Sequence, residues 1–466
     1  MEKKAYTTSL DFLFYPRSIA LIGAAHTEEK LGGVILKNLL RFRGRVYPVN
    51  PKYTELMGLK AYPSLAEIPE SIDLSIIIRP ASEMPQILKE HKGKARCAII
   101  VSAGFAEIGE NKLQDEIKRI ARDIGIRILG PNCMGVYNPY QRLDTFFLSQ
   151  KRLKRPKMGN VAVISQSGAI LSCLFGAIRS ANLGISKAVN YGNAVDIDES
   201  DLYEYLANDE YSDVVISYIE SLGDGRKFIE RARVLSEKKS FIILKSGKGL
   251  SGQAAAYSHT GRLAGRYEVF SSVLRQFGIK EAMDFDELVD TAKAISYQGS
   301  FKKSPLPPFI KGWLGGIGNR VLIVTNGGGS GVLAADECLR QGLDVAKLPE
   351  NRIGKLGQIF PYYYTINNPF DLTAQVRNED YIIALNELKD DYDGFLIIAL
   401  TGVMGVTEKL GVLMENVKKN ISKPIVFHVG HDGVSRKLIA SLEKARIPVY
   451  PSPERAVKGL KALLNC

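Results

Sequence analysis

Cysteine is scarce in this chain and widely scattered: Cys97, Cys133, Cys173, Cys338 and Cys466 form no CxxC pair. That spacing excludes a zinc-finger type site and a disulfide framework, and suits a reducing compartment. No apolar run approaches the ~18 residues of a membrane span. Met1-Glu2-Lys3-Lys4 is not followed by an apolar segment of signal-peptide type, so a cytoplasmic location is expected. Three well-known signatures also fail. The turn at Gly23, after the first strand, is not G-x-G-x-x-G, because Gly23 is followed by Ala24-Ala25, which argues against a nicotinamide dinucleotide enzyme. No glycine-rich loop ends in the Gly-Lys-Ser/Thr of a Walker A motif. Gln166-Ser167-Gly168 lacks the preceding glycine of a serine-hydrolase elbow. The net charge is +12, yet no aromatic-plus-basic motif of a nucleic-acid binder accompanies it. A basic surface of this kind favours anionic small molecules or an acidic partner.

What is present is alternation. The length of 466 residues suggests three domains at roughly 100–200 residues each. The 45% hydrophobic content supplies several cores. From about residue 9 to 145, short continuous apolar runs alternate with helical patterns: Ser18–Ile22, Val46–Val49, Leu74–Ile78, Ala98–Val101 and Arg127–Leu129. Runs of this kind suit strands covered on both faces, and hence a doubly wound parallel sheet. Loops at the carboxyl ends of such strands form the ligand crevice. Here they carry Gly23, Ala24, Ala25 and His26, then Asn50-Pro51-Lys52, Arg79-Pro80-Ala81, Ser102-Ala103-Gly104 and Gly130-Pro131-Asn132. Gly23 allows a tight turn and a close phosphate approach. Strand two ends in Asn50 rather than an acid for a ribose, again against NAD. Lys30 and Lys52 read either as ordinary surface lysines or as charge for a phosphorylated ligand.

The basic run Lys151–Lys157 reads as a solvated linker and a first boundary. Beyond it, strand Asn160–Ile164, the turn Ser165-Gln166-Ser167-Gly168 and a helix from Ala169 follow in order. That turn is either a simple N-cap or an anion pocket made by hydroxyls and helix N–H groups. Strand Val214–Ile219 ends in Glu220, whose carboxylate either caps the next helix or fixes the tautomer of a histidine. Strand Phe241–Leu244 leads to Ala254-Ala255-Ala256-Tyr257-Ser258-His259-Thr260-Gly261. His259 is one of only five histidines and stands among small residues, which let other loops approach its imidazole. Residues 285–294 read as an amphipathic helix with Glu287, Asp290 and Lys293 on its polar side.

Residues 299–318 are dense in Pro and Gly and read as a linker or surface insertion. The third region opens with strand Arg320–Val324 and the loop Thr325-Asn326-Gly327-Gly328-Gly329-Ser330-Gly331. Turn geometry alone does not call for so many glycines, so Gly327, Gly328, Gly329, Ser330 and Gly331 read as a phosphate cradle. Strands Gly394–Ile398, Pro424–His428 and Ile447–Tyr450 complete another open α/β domain. The expected segmentation is 1–150, 157–298, linker 299–318 and 319–466. Two helix starts converging on His259 would stabilise a phosphohistidine, because each offers about half a positive charge and several N–H donors.

In order along the chain, Ser18–Ala24, Ser102–Phe105, Gly130–Gly135, Ile164–Ala169, Leu244–Gly247, Ser258–Gly261, Thr325–Gly329 and Asn368–Leu372 resemble the α subunits of ADP-forming acetyl-CoA synthetases, in the succinyl-CoA synthetase superfamily. The resemblance covers nearly all of the chain outside 299–318. It implies three α/β domains of Rossmann-like and flavodoxin-like open parallel-sheet type. It implies CoA binding by Gly23, Ala24, Ala25, His26, Lys52, Ser102, Ala103 and Gly104. It implies a phosphorylated His259 oriented by Glu220, with the phosphate held by Ser165, Gln166, Ser167, Gly168 and the loop Gly327–Gly331. The implied reaction is acyl-CoA + ADP + phosphate ⇌ carboxylate + ATP + CoA, by way of an acyl phosphate. The nucleotide, ADP or ATP with Mg, would sit on a separate ATP-grasp β subunit, giving a hetero-oligomer of α2β2 type. No metal ligand is assigned to this chain, and neither nucleic acid nor a membrane is an expected partner. A non-catalytic CoA-sensing protein built from the same domains is the alternative, and the presence of His259 favours the enzyme.

Overall fold

A computed structural model describes residues 10–249, 266–299, 319–430 and 435–464. His259 and residues 300–318 of the linker lie outside the described residues. The chain divides into two compact units, Met1–Leu288 and Val289–Cys466.

The first unit holds two sheets. In the first, β1 (Ser18–Ile22), β2 (Arg45–Val49), β5 (Ile72–Ile77), β6 (Ala95–Ile100) and β7 (Arg127–Leu129) run parallel in the order β2-β1-β5-β6-β7. A small antiparallel hairpin, β3 (Glu55–Leu56) with β4 (Leu59–Lys60), follows β2. The central strands are buried along their whole length, which is why they read as unbroken apolar runs.

The chain then leaves this sheet. The short strands β8 (Gly135–Asn138) and β9 (Leu143–Asp144) form an antiparallel edge of the second sheet. Its parallel body is β10 (Lys157–Ser165), β11 (Gly184–Asn190), β12 (Val214–Ile219), β13 (Ser240–Lys245) and β14 (Lys280–Ala282). The order is β14-β13-β12-β10-β11-β8-β9. The basic run 151–157 is not wholly solvated. The side chain of Arg155 is only 5% exposed and is bonded to Asp144 at 3.0 Å, and Lys157 opens β10. The composition of the run concealed the acid that draws one of its cations inward.

The second unit repeats the design with β15 (Val321–Thr325), β16 (Phe370–Asp371), β17 (Gly394–Ala399), β18 (Ile425–Val429) and β19 (Val449–Tyr450), in the order β16-β15-β17-β18-β19. The helix Phe285–Gln298 also departs from expectation. Asp290 and Lys293 were placed on its polar side, but both are buried. Asp290 binds Arg455 and Lys293 binds Glu443, each at 2.6 Å, inside the second unit. Period alone cannot separate a solvated charge from one that meets its opposite in a core.

All three parallel bodies therefore share one topology. The first strand along the chain has the second on one side and the third on the other, and the order reverses across it. Ligands of open α/β sheets bind at that reversal, beyond the carboxyl ends of the strands.

Within the first unit the two sheets are laced together at those ends. Asn193 N–H donates to Pro131 O and Val195 N–H to Gly130 O, both at 3.0 Å, and within the first sheet Asn132 N–H donates to Ser102 O at 2.9 Å. Arg127 grips Asp196 and Asp201 at 2.9 and 3.1 Å. Gly192 makes the lacing possible. Its φ is +55°, and a Cβ there would collide with the carbonyl oxygens of Pro131 and Asn132. Gly192→Ala should therefore lower unfolding stability by about 2 kcal/mol or more, measured by denaturant titration. A loss under about half that would show that the loops separate without penalty.

Candidate functional site

Six strand ends of the first unit meet around a cavity of about 440 Å³. Ile78 comes from beyond β5, Ser102 and Ala103 from beyond β6, and Asn132, Cys133 and Met134 from beyond β7. Gln166, Ser167, Gly168 and Ala169 come from beyond β10, Asn190 and Asn193 from β11 and its loop, and Glu220 from beyond β12. The remaining wall is apolar, with Leu31, Val101 and Phe147. The cavity thus joins two groups that were far apart in sequence: Ser102 and Ala103, expected at CoA, and Gln166–Gly168 with Glu220, expected at phosphate.

The turn after β10 is rigid for identifiable reasons. Ser165 is fully buried, and its hydroxyl donates to Ser167 O at 2.6 Å. Ser167 caps the helix Gly168–Ser180 by accepting from Ile170 N–H. That leaves the N–H groups of Gly168 and Ala169 for the cavity, at the positive end of a 13-residue helix. So capping and anion binding do not compete: the hydroxyl satisfies the third amide of the helix and the first two stay available. Gly168 also lets the turn pack against Met134, since a Cβ there would stand 3.1 Å from Met134 Cγ.

Gln166 does something else. Its Oε1 accepts the N–H groups of Glu220 and Ser221 at 2.8 and 3.0 Å, and its Nε2 donates to Ser221 Oγ at 3.1 Å. The side chain spans the topological reversal between β10 and β12 and fixes where Glu220 begins. Its Oε1 is taken up by two amides and its Nε2 makes one bond, while Gln166 also lines the cavity. Glu220 is 7% exposed and lines the cavity.

Two residues that sequence reasoning passed over complete the frame. Asn190 donates to Ser165 O and Gln166 O at 3.0 and 2.8 Å and accepts Met134 N–H at 2.7 Å. One amide thereby ties the turn after β10 to the segment after β7. Asn193 donates to Glu107 and to Gln114 at the cavity rim. Burial pushes the Glu107 carboxyl upward, but hydrogen bonds from Asn193 and from the N–H groups of Gly104 and Phe105 outweigh it and hold its pKa low. Gly104 thus anchors an acid rather than lining the cavity. No local pattern marks either asparagine, because each acts on loops distant in sequence. Cys133 is no nucleophile, since burial pushes its thiol up to about 12.

The first loop is placed differently. Gly23 has φ +91°, and a Cβ on it would collide with Ile78 O. Ala24 and Ala25 are buried, whereas His26, Lys30 and Lys52 are exposed. Asn50 donates to Ala24 O at 2.8 Å and accepts Lys52 N–H at 3.0 Å. It closes this loop where a dinucleotide fold would put its ribose acid. None of Gly23–His26 or Lys52 lines the cavity; they border the neighbouring reversal between β1 and β5.

The second unit carries a copy of the turn after β10. Thr325 Oγ1 donates to Gly327 O at 3.0 Å, as Ser165 does to Ser167. Asn326 exchanges two hydrogen bonds with Leu400, at 3.0 and 2.8 Å, as Gln166 does with Glu220 and Ser221. The helix Gly328–Arg340 starts at Gly327 with no side-chain cap. A Cβ on Gly327 or Gly328 would press on Leu400 or Asp371, and Gly331 packs on Thr325 and Pro369. Gly329 has open space around it. So three of these glycines are required for packing, while Gly329 and Ser330 have no such constraint. Asn190→Ala, which takes the side-chain donor from Gln166 O and the acceptor from Met134 N–H, should cost about 2–3 kcal/mol in denaturant unfolding. A change below about 0.5 kcal/mol would show that the turn is held by other means.

Comparison with known proteins gives a consistent family. The CoA binding domain family matches residues 17–139, the succinyl-CoA ligase like flavodoxin domain family 158–295, and the ligase-CoA domain family 321–463. The alpha subunit of ADP-forming acetate–CoA ligase II from Pyrococcus furiosus is 39% identical, over 98% of this chain and 97% of its own length. The ADP-forming acetate–CoA ligase of Methanocaldococcus jannaschii is 38% identical over 97% of this chain, which spans 63% of that longer protein. The solved dinucleotide-forming acetyl-coenzyme A synthetase 1 of Ca. Korarchaeum cryptofilum, in complex with phosphate and ADP, is 32% identical, covering 98% of this chain and 96% of its own. It superposes with a TM-score of 0.86. The chain belongs to the ADP-forming acetate–CoA ligases, among the chains that form their alpha subunits.

Proposed function

We propose that this chain binds CoA and carries a phosphoryl group on His259, in the reaction acyl-CoA + ADP + phosphate ⇌ carboxylate + ATP + CoA. The observation that carries the reading is the shared cavity. Ser102 and Ala103, a helix N-terminus and Glu220 face the same 440 Å³ space. A thioester entering from the CoA side would meet phosphate held at the N–H groups of Gly168 and Ala169. Phosphate oxygen attacks the thioester carbonyl, the C–S bond breaks, and the thiolate takes up a proton as CoA leaves. An imidazole nitrogen of His259 then attacks phosphorus, the bond from phosphorus to the acyl oxygen breaks, and the carboxylate departs. Glu220 accepts the N–H of the other ring nitrogen, which fixes the tautomer and steadies the cation formed. The helix dipole offsets the phosphoryl charge throughout.

The remaining assignments rest on family likeness. Gly23, Ala24, Ala25, His26 and Lys52 are assigned to CoA away from its thiol end. The exposed Lys52 offers its charge, while the buried Ala24 and Ala25 allow close backbone approach. The uncapped helix start at Gly327–Gly331 is assigned to phosphate on the same grounds as Gly168. Relatives named as alpha subunits support a partner subunit. We assign that partner an ATP-grasp fold, the nucleotide and its Mg, in an α2β2 assembly. The segmentation 1–150, 157–298, 299–318 and 319–466 is kept as part of this reading. No helix among the described residues is long and apolar enough to cross a membrane, in keeping with a cytoplasmic location.

The purified chain, given radiolabelled acetyl phosphate, should take up an acid-labile, alkali-stable label. Glu220→Gln should slow uptake by about 10–100-fold, a loss typical of an orienting acid. A chain that takes no label, under conditions that preserve phosphohistidine, would point to the CoA-sensing alternative. Equal rates for wild type and Glu220→Gln would remove the role of Glu220.

A further inference from the structure

Lys245 ends β13 and is 2% exposed. Its ammonium donates to the backbone carbonyl of Glu220 at 2.7 Å and to that of Ser246. Taking an ammonium out of water is costly, and neutral carbonyls offset that cost only in part. Burial accordingly draws its pKa down to about 8, with the Glu220 charge opposing that shift and Lys248 adding to it. A strand end that had only to pack would use an apolar side chain.

The second unit provides that case. Ile219 pairs with Lys245 between β12 and β13, and Ala399 pairs with Val429 between β17 and β18. Both pairs stand at the strand ends beside the amide that spans the reversal, Gln166 in one unit and Asn326 in the other. Where the first unit has Glu220 followed through to Lys245, the second has Leu400 and a buried Val429. The amide clamp is present with and without the acid. The lysine is present only with it.

We propose that Lys245 is a positioning residue for Glu220. Gln166 holds the Glu220 backbone by its N–H and Lys245 holds it by its C=O, so that the carboxylate keeps one direction toward the cavity it lines. This rests on the reading of Glu220 as the acid that orients His259. Lys245 touches no reacting atom in this account. Its effect passes through Glu220, and that makes it separable from a packing role.

The test is a double-mutant cycle in the full chain, with Lys245→Val chosen because the second unit already carries valine at the matching strand end. The readouts are the rate of labelling by acetyl phosphate and the calorimetric Kd for CoA. Lys245→Val should slow labelling by about 10-fold or more, while the CoA Kd stays within about twofold. Added to Glu220→Gln, it should change the rate by less than about twofold, because the residue through which it acts is already gone. The same rate penalty in both backgrounds, or a parallel fall in CoA affinity, would overturn the proposal while leaving the phosphohistidine reading intact. A wild-type chain that takes no label would overturn both. Should Lys245→Val lower the yield of folded chain, Lys245→Met carries the same comparison with the aliphatic stem retained.

Discussion

A parallel sheet leaves its strand ends as separate loops, and something must bind those loops across the point where strand order reverses. Here the binding element is a side-chain amide. Gln166 spans β10 and β12, and Asn326 spans β15 and β17 in the same way. Each satisfies N–H groups that would otherwise be buried without a partner, at a cost of about 1–3 kcal/mol apiece. With the amide in place, the turn before it is rigid and the helix after it starts at a defined point. The position of Gly168 at the cavity and the origin of Glu220 both follow from that one residue. The first sheet manages its own reversal without an amide, by close backbone approach at Gly23.

Using one topology three times explains a division of labour. The first sheet offers small residues and exposed cations, suited to the long phosphorylated body of CoA. The second adds a capped helix start, an acid and a buried lysine. The third keeps the helix start but replaces acid and lysine with Leu400 and Val429. In the proposed function the same frame would serve as binding loop, reaction site and anion cradle, according to a few residues at the strand ends.

Much of the frame was legible in the sequence. Continuous apolar runs marked the parallel strands because those strands are buried on both faces. The turns after β10 and β15 stood out because hydroxyls and glycines cluster where a strand meets a helix. Other features were hidden for physical reasons. Asn190 and Asn193 act across 24 to 86 residues of sequence, so no local pattern reveals them. The hold that the Gln166 amide has on Glu220 and Ser221 was hidden as well, because it crosses more than 50 residues. Lys245 follows the apolar run Phe241–Leu244, and no spacing shows that its ammonium is buried on the Glu220 carbonyl. Asp290, Lys293 and Arg155 were read as solvent-facing because their partners, Arg455, Glu443 and Asp144, cannot be inferred from spacing. His259 was marked by its small neighbours and by family likeness, and it lies outside the described residues.

The central claim is that a phosphoryl group on His259 is chemically connected to the CoA site of the same chain. The most direct measurement isolates the phosphorylated chain, removes all acetyl phosphate, and supplies acetate and CoA without nucleotide. The account predicts a single turnover in which the label leaves the protein as inorganic phosphate and one acetyl-CoA forms for each phosphate released. His259→Ala, which should never acquire the label, should form none. Loss of the label with no acetyl-CoA formed, or retention of the label in the presence of both substrates, would contradict it.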